Sequence, residues 1–336
     1  MVRTAAIVFV AGLWAQGCTD PNCAKDDEGC ATTTTGTVTT DPTSDTATTP
    51  STTSTSTSTT PYTGFTFPEY VERISAGDQH SCRIEADETI VCWGSTSSGQ
   101  LGAPDGTFTQ ISAGANHTCA VATDGTLACW GGDEYLQVTD TPEGDQWVQV
   151  TSGQDFSCAL DTEGMLTCWG SDTHGQVSTA PTTVAADWIG AGVNHACLVR
   201  SEDTFIFCWG DDLAGQSSLA PQSDKDVFLL VDPGGFHSCG LTDQNEVICW
   251  GTNDAGQSTP PPFKGFTRMS SGAQFSCGIQ PDTTLICWGD NRFGQTDAPM
   301  GSFEQVSAGF QHACALTTTG MTQCWGENGS NQCLPP

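Results

Sequence analysis

From about residue 65 onward, short apolar stretches alternate with turn-forming residues in an order that recurs seven times. In the second copy, Ile111 opens one apolar stretch, Gly114 follows it, a second stretch surrounds Cys119, and a third ends at Trp130. An Asp-Gly pair at 124–125 separates the last two stretches, and this pair between apolar runs indicates a β-hairpin. The pattern therefore predicts an all-β fold of short strands, and we expect about four strands per copy.

Each copy contains two cysteines, and the second is followed at once by Trp-Gly. The first cysteines are 37 to 42 residues apart, a period typical of repeat architectures in which neighbouring units complete one another's core. The two cysteines of a copy lie symmetrically about the hairpin turn, where opposed residues are close enough for a disulfide. We predict seven hairpin disulfides: Cys82–Cys92, Cys119–Cys129, Cys158–Cys168, Cys197–Cys208, Cys239–Cys249, Cys277–Cys287 and Cys314–Cys324.

The first 17 residues have the pattern of an export signal. Arg3 precedes a short apolar run, and small residues occupy positions 15 and 17, the two key positions on the N-terminal side of a cleavage site before Cys18. The sequence ending in Gly17-Cys18 resembles a bacterial lipoprotein signal, which predicts lipidation of Cys18; ordinary secretory cleavage at the same point is the alternative. Export also explains the 18 cysteines of the chain as disulfide formers, because no short C-x2-C pair indicates zinc.

Two further segments precede the repeats. Residues 18–30 contain Cys18, Cys23 and Cys30, of which Cys23 and Cys30 are able to close a local loop. Residues 31–63 are almost entirely Thr and Ser with Pro and Asp, and such a tract lacks the apolar residues that would offset its ordering entropy. We therefore predict a disordered stalk that joins an N-terminal anchor to a propeller at residues 64–336.

The charge of the chain limits the classes of partner that it is able to bind. The formal net charge is −30, with 39 acidic and 9 basic residues. Nucleic acid binding requires clustered positive charge, so this class is excluded, and a membrane is contacted only through the lipid anchor. We expect a monomer without cofactor or metal.

Several positions hold the same or similar residues in every copy, which indicates that these residues have structural roles. Gly77 and its equivalents indicate close backbone approach near an axis. A second slot holds five histidines or Phe: His80, His117, Phe156, His195, His237, Phe275 and His312. The two Phe residues argue against a metal ring and favour packing, with each histidine bonded to the backbone of a neighbouring unit. The motif Trp residues are expected to pack, whereas Trp188 has no counterpart at its position. Cys333 is left over after the predicted pairings.

The motifs Ser75-Ala76-Gly77, His80-Ser81, Trp93-Gly94 and Gly99-Gln100-Leu101-Gly102 resemble the repeat of the regulator of chromosome condensation family. The resemblance covers residues 65–336 and implies a seven-bladed β-propeller. The cysteine pair of each unit departs from the eukaryotic pattern and suits an exported version. The nucleotide exchange activity of the founding member is not expected for an exported chain, since fold does not imply function. The secreted bacterial branch of the family includes a β-lactamase inhibitor, which implies protein binding through one face.

Residues that break the repeat are the best candidates for contact with a partner, because loops on a rigid scaffold carry function. This criterion, together with the preference for aromatic residues and Arg at binding hot spots, selects a set of eight. The candidates are Asp133, Glu134, Tyr135, Asp211, Asp212, Phe236, Arg292 and Phe293.

These observations predict a binding module displayed at the bacterial cell envelope, as an outer-membrane lipoprotein facing the periplasm or the surface, or else secreted. Its partner is a protein; an envelope glycan is the alternative, and an envelope-acting enzyme is a more distant one. No nucleophile motif, phosphate loop or paired catalytic carboxylate is present, so we predict that the protein is not an enzyme.

Overall fold

The computed structural model describes residues 71–222, 225–262 and 265–336. They form seven sheets of three antiparallel strands, one for each sequence repeat, and each sheet is one blade of a propeller. The predictions for residues 1–63, including the signal peptide, lipidation of Cys18 and the Cys23–Cys30 pair, and for the start of the propeller at residue 64, lie outside the described residues. None of the described residues belongs to a helix long and apolar enough to cross a membrane.

Each blade begins with its innermost strand and proceeds outward. The inner strands are β1 (Ile74–Ala76), β4 (Phe108–Ala113), β7 (Trp147–Ser152), β10 (Ala186–Ala191), β13 (Phe228–Pro233), β16 (Arg268–Ser271) and β19 (Phe303–Ala308). The middle strands are β2 (His80–Ile84), β5 (His117–Ala122), β8 (Phe156–Asp161), β11 (His195–Arg200), β14 (His237–Thr242), β17 (Phe275–Ile279) and β20 (His312–Thr317). The outer strands are β3 (Ile90–Gly94), β6 (Leu127–Gly131), β9 (Leu166–Gly170), β12 (Ile206–Gly210), β15 (Val247–Gly251), β18 (Leu285–Gly289) and β21 (Thr322–Gly326).

The prediction of about four strands per blade was wrong, because the segment after each Trp-Gly folds as a compact turn. In the second blade, Asp133 Oδ1 accepts the amides of Val138 and Thr139, and Gln137 Oε1 accepts the amide of Tyr135. Side chains therefore bind the amide groups that a fourth strand would have used in a ladder.

All seven predicted hairpin disulfides are present. In every blade the two cysteines face each other in the register of the middle and outer strands, with Cα atoms 4.0 to 4.1 Å apart. Each bridge therefore fixes the register of one hairpin.

The blades are joined around the axis by a closed ring of glycines. A Cβ atom added at Gly77 would lie 2.3 Å from the carbonyl oxygen of Gly114, and Gly114 has the same relation to Gly153. The relation continues from blade to blade until Gly309 meets the carbonyl oxygen of Gly77 at 2.2 Å. This confirms the expectation of close backbone approach, and it closes the ring.

Each motif Trp packs between blades as predicted and also forms a hydrogen bond to the preceding blade. Its indole N–H donates, at 2.8 to 3.0 Å, to the carbonyl oxygen of the Gln that stands seven residues after the motif Trp of the preceding blade. The bond from Trp93 to Gln332 joins the first blade to the last. One bonding pattern thus holds all seven junctions.

The histidine slot also joins neighbouring blades, but its partner differs from the prediction. The Nε2 atom of each histidine lies 2.8 to 2.9 Å from a Ser or Thr hydroxyl of the next blade, and not against its backbone. Burial lowers the pKa of these histidines to about 3 or 4, so they are neutral. Among the described residues, no group of three or more His, Cys, Asp or Glu is arranged to hold a metal ion.

Trp188 has a structural counterpart, contrary to the sequence interpretation. Its indole N–H donates to the carbonyl oxygen of Val231 in the next blade at 3.0 Å. Gln110 and Gln149, in the same slot of the inner strand, donate to the next blade in the same way. A shared hydrogen bond, rather than a shared residue type, defines this slot.

Candidate functional site at one face of the propeller

Two loops of every blade lie on the same face of the ring. The turn between the inner and middle strands follows the ring glycine, and the loop after the outer strand begins beside it. In the third blade the amide of Ser171 donates to the carbonyl oxygen of Asp155 at 2.8 Å, and this bond recurs in all seven blades. We call this the mouth face; the opposite face, with the hairpin turns and the start of each inner strand, is the base face.

The eight candidate residues all belong to the mouth face. Phe236 lies in the turn of the fifth blade, and the other seven lie in the loops after the outer strands. Sequence reasoning found them only as interruptions of the repeat. Their gathering on one face follows from the shared direction of the strands.

Three of the candidate carboxylates hold their own loops. Asp133 accepts the hydroxyl of Thr139 and the backbone amides of Val138 and Thr139, which lowers its pKa against the opposing effect of desolvation. Desolvation raises the pKa of Asp212, but the amides of Ser217 and Ser218, which donate to it at 2.8 to 3.0 Å, outweigh this effect and lower the pKa. Asp211 is buried and accepts the side-chain amide of Gln216 at 3.0 Å. Glu134 and Tyr135, by contrast, are exposed.

Blades 3 to 7 form a cleft of about 330 Å³ on the mouth face, which we call the aromatic cleft. Phe236 and Phe310 line it and are 41% and 40% exposed. Arg292 lines it as well, and its Nε donates to Asp290 at 3.0 Å while Nη2 donates to Gln274 at 2.9 Å. The structure thus brings Phe236 and Arg292 together, whereas Phe293 is exposed at 44% and does not line this cleft.

A shallow depression of about 80 Å³, the axial mouth, surrounds the axis within the ring of glycines. Asp78 is the carboxylate that lines it. Burial, reinforced by the nearby Asp155, raises the pKa of Asp78 to about 6. Burial also raises the pKa of Asp155, and the charge of Glu134 contributes in the same direction. These three acids belong to the first three blades.

The mouth face has almost no positively charged side chains. In the three-residue turns that begin at the ring glycines, and in the first six residues after each Trp-Gly, Arg292 is the one Lys or Arg. The same positions carry ten acidic residues: Asp78, Asp133, Glu134, Asp155, Asp172, Asp211, Asp212, Asp254, Asp290 and Glu327. Because Asp290 neutralises Arg292, the mouth face presents a strongly negative surface.

Several residues of the mouth face were missed by the sequence criterion. Asp78, Asp155 and Phe310 occupy the two positions that follow the ring glycine, and these positions vary from blade to blade. That variation next to an invariant glycine is a usable sequence signal. It went unused because only the structure shows that these turns border the axis.

A second group of acidic residues lies among the inner strands, toward the base face. Glu72 accepts a hydrogen bond from Gln110 at 3.3 Å and lies near Asp232 and Arg268. Burial, followed by repulsion from Asp232, raises the pKa of Glu72 to about 7, while Gln110 and Arg268 act in the opposite sense. Burial also raises the pKa of Asp232, to about 6.

Comparison with known proteins agrees with the blade structure. The Regulator of chromosome condensation (RCC1) repeat matches residues 71–100, 108–137, 147–176, 233–257 and 303–332. The chain is built of RCC1 repeats. The matches fall on blades 1, 2, 3, 5 and 7, and blades 4 and 6 have the same strands and disulfide. A search of the curated proteins found no significant match.

Two solved receptor ectodomains are similar to this RCC1-repeat propeller. The ectodomain of the receptor kinase CR4 from Physcomitrella patens is 26% identical with a TM-score of 0.65, over 76% of this chain and 72% of that chain. The CRINKLY WD40 ectodomain of the receptor kinase ACR4 from Arabidopsis thaliana is 27% identical with a TM-score of 0.66, over 75% and 93%. Yeast RCC1 (Prp20), solved with Kap60, is 16% identical with a TM-score of 0.63, over 80% and 83%, and supports the fold alone.

Proposed function

We propose that this RCC1-repeat protein is a binding module displayed at the cell envelope, which recognises a partner protein through the mouth face. The observation that carries the proposal is the convergence of exposed aromatic residues, a cleft and a negative surface on one face. Rigid scaffolds that present variable loops on one face are well suited to recognition. The similarity to receptor-kinase ectodomains supports an exported binding role, as do the seven disulfides.

The order of the segments along the chain supports display, because the predicted anchor and stalk in residues 18–63 precede the propeller. In this proposal residues 1–17 direct export, Cys18 carries the lipid, and the protein resides in the outer membrane.

Catalysis is not part of the proposal. The mouth-face carboxylates of Asp133, Asp211 and Asp212 are engaged in their own loops, and the aromatic cleft contains no histidine or cysteine. Nucleotide exchange on a cytosolic GTPase, the activity of the founding family member, would require a compartment that an exported chain does not share. We therefore propose recognition without turnover.

The test compares full-length protein with Cys18→Ser, which keeps the chain soluble, as bait for envelope and secreted proteins of the host. Two variants are added to this background: Phe236→Ala with Phe310→Ala on the mouth face, and Phe207→Ala on an outer strand as a control of equal exposure. Loss of one stoichiometric protein partner in the mouth variant alone supports the proposal. Retention of that partner by the mouth variant, or binding to envelope polysaccharide and no protein, contradicts it.

The anchor is tested separately. Metabolic labelling with a radioactive fatty acid should label the wild-type chain and leave the Cys18→Ser chain unlabelled. Equal labelling of both chains, or no labelling of either, would contradict lipidation at Cys18.

A further inference from the structure

The aromatic cleft and the axial mouth form one continuous site. Gln154, Val193, Gly235, Ala273 and Phe310 line both. Phe310 therefore stands between an apolar compartment toward the rim and an acidic compartment at the axis. A ligand that fills one compartment reaches the other without leaving the surface.

We infer that this two-part site takes an exposed loop of a partner protein that carries an aromatic or large aliphatic side chain next to a lysine or arginine. The apolar side chain enters the cleft beside Phe236 and Phe310, and the basic side chain points to Asp78. This inference rests on the proposed function and specifies the chemistry of the partner.

The size of the cleft fits a side chain of a protein loop. At about 330 Å³ it lies at the lower end of the range for ligand pockets, which corresponds to one large side chain and part of its backbone. Phe236 and Phe310 leave about two fifths of their surface exposed. Covering such aromatic surface is favourable at roughly 25 cal/mol per Å² of apolar area.

The polar lining of the cleft suits peptide groups. Gln154, Asn194, Gln274 and Gln311 bring side-chain amides to it, and each amide both donates and accepts hydrogen bonds. Arg292 is held in place by Asp290 and Gln274, so it presents its remaining N–H groups in a fixed direction. Backbone carbonyl and N–H groups of a loop would find partners of both kinds.

The charge of the acidic compartment selects a cation. Asp78 lies at the axis with Asp155 nearby, Asp155 in turn lies near Glu134, and Arg292, the one Lys or Arg beside these turns, is already paired with Asp290. An ammonium or guanidinium group over Asp78 would therefore meet a surface without a competing internal cation. An acidic or phosphorylated loop would be repelled by the same surface.

The test uses a library of disulfide-constrained random peptides displayed on phage, selected against full-length protein with Cys18→Ser at physiological salt. We expect enriched peptides with Lys or Arg within two residues of Phe, Tyr, Trp, Leu or Met. One enriched peptide is then synthesised, and its Kd is measured by calorimetry against four variants.

Asp78→Asn and Phe310→Ala should each weaken binding about tenfold or more, as expected for central residues of an interface. Asp243→Asn and Phe207→Ala are the matched controls, since both residues are exposed away from the mouth face, and they should change Kd by less than about twofold. Binding to wild type should also weaken as salt rises, and this salt dependence should be smaller for Asp78→Asn.

Failure of the inference is distinguishable from failure of the proposed function. Enriched peptides without a basic residue, or with an affinity that Asp78→Asn leaves unchanged while Phe310→Ala abolishes it, would overturn the inference and leave mouth-face recognition standing. Enrichment of no peptide, or of peptides unaffected by both mouth variants, would contradict both.

Discussion

His80 Nε2 lies 2.8 Å from the hydroxyl oxygen of Thr118 in the next blade. The two junctions where Phe replaces the histidine have also lost the hydroxyl. Phe156 packs with Ala196, and Phe275 packs with Ala313, where the other blades have Ser or Thr. A buried hydroxyl without a partner costs about 1–3 kcal/mol, so the two positions are coupled.

This coupling predicts the result of exchanging one pair for the other. His80→Phe alone leaves the Thr118 hydroxyl buried without its partner and should lower the free energy of unfolding by about 1–3 kcal/mol. Adding Thr118→Ala should recover most of the loss, because the junction then has the Phe–Ala pair of blades 3 and 4. Urea unfolding at pH 7.5 measures both variants. Equal stability of the single and double variants would show that the two positions are independent.

The buried histidines predict a loss of stability in mild acid. Their pKa in the folded protein is about 3 to 4, below the ordinary 6.5, so the unfolded chain binds protons that the folded chain does not. Stability is therefore complete above about pH 6.5 and falls as the pH drops toward 4. For His80 alone the loss at pH 4 is on the order of 3 kcal/mol.

The double variant His80→Phe with Thr118→Ala isolates this effect. Its stability relative to wild type should improve as the pH is lowered from 7 to 4, because one titrating histidine has been removed. Unfolding curves at half-unit pH intervals supply the comparison. A difference that does not vary with pH would mean that His80 does not titrate as its burial requires.

The raised pKa of Glu72 predicts the opposite dependence of stability on pH. Its pKa is raised from 4.5 to about 7, so the folded protein binds the proton more tightly than the unfolded chain does. The cost of ionising Glu72 beside Asp232 therefore appears as the pH rises above 4.5 and is complete above about 7. Glu72→Gln should stabilise the protein at pH 8 by at most about 3 kcal/mol and should have little effect at pH 4.5. Gln retains an oxygen that is able to accept from Gln110.

Thermal unfolding at pH 4.5 and pH 8 measures the effect of Glu72→Gln. Glu163→Gln is the matched control, since Glu163 is exposed in a hairpin turn of the base face. Glu163→Gln should change the stability by less than about 0.5 kcal/mol at either pH. If Glu72→Gln behaves like this control, Glu72 is not buried as described.

The close approach within the ring of glycines predicts that an alanine at a ring position destabilises the protein. An alanine at position 114 would place its Cβ 2.3 Å from the carbonyl oxygen of Gly153 and 2.6 Å from the ring of His117. Gly114→Ala should therefore cost about 1–3 kcal/mol or more through overpacking. At Gly102 the nearest atom would be the carbonyl oxygen of Gly99 at 3.2 Å, a contact that a shift of a few tenths of an ångström relieves, so Gly102→Ala should cost clearly less than Gly114→Ala. Thermal unfolding of the two variants tests the contrast; equal losses would argue against a tight ring.

The raised pKa of Asp78 predicts that the affinity for a basic peptide depends on pH. Its pKa is about 6, raised by burial and by Asp155, so it is ionised at pH 7.5 and mostly protonated at pH 5. A peptide with a basic residue should therefore bind more tightly at pH 7.5. Asp78→Asn should reduce that dependence, leaving the contribution of Asp155. Calorimetry at the two pH values measures it, and an unchanged dependence would assign it to other groups.

Residue spacing alone was sufficient for the features that lie within one blade. The seven cysteine pairs and the hairpin turns follow from a period of about 40 residues and from local turn chemistry. Cys119 and Cys129, for example, face each other because a hairpin has a fixed register. Such features involve short separations in the chain, where the sequence constrains the geometry directly.

Tertiary structure decided the features that link one blade to the next. His80 and its hydroxyl partner Thr118 are 38 positions apart, and Gln149 and Trp188, which form equivalent hydrogen bonds, are 39 apart. Phe236 and Phe310, which line the same cleft, are 74 positions apart. Their pairing depends on how blades stack around the axis, which no local pattern encodes. The sequence by itself thus determined the blade, the repeat and the charge, whereas only the closed ring determined which side chains meet at the mouth.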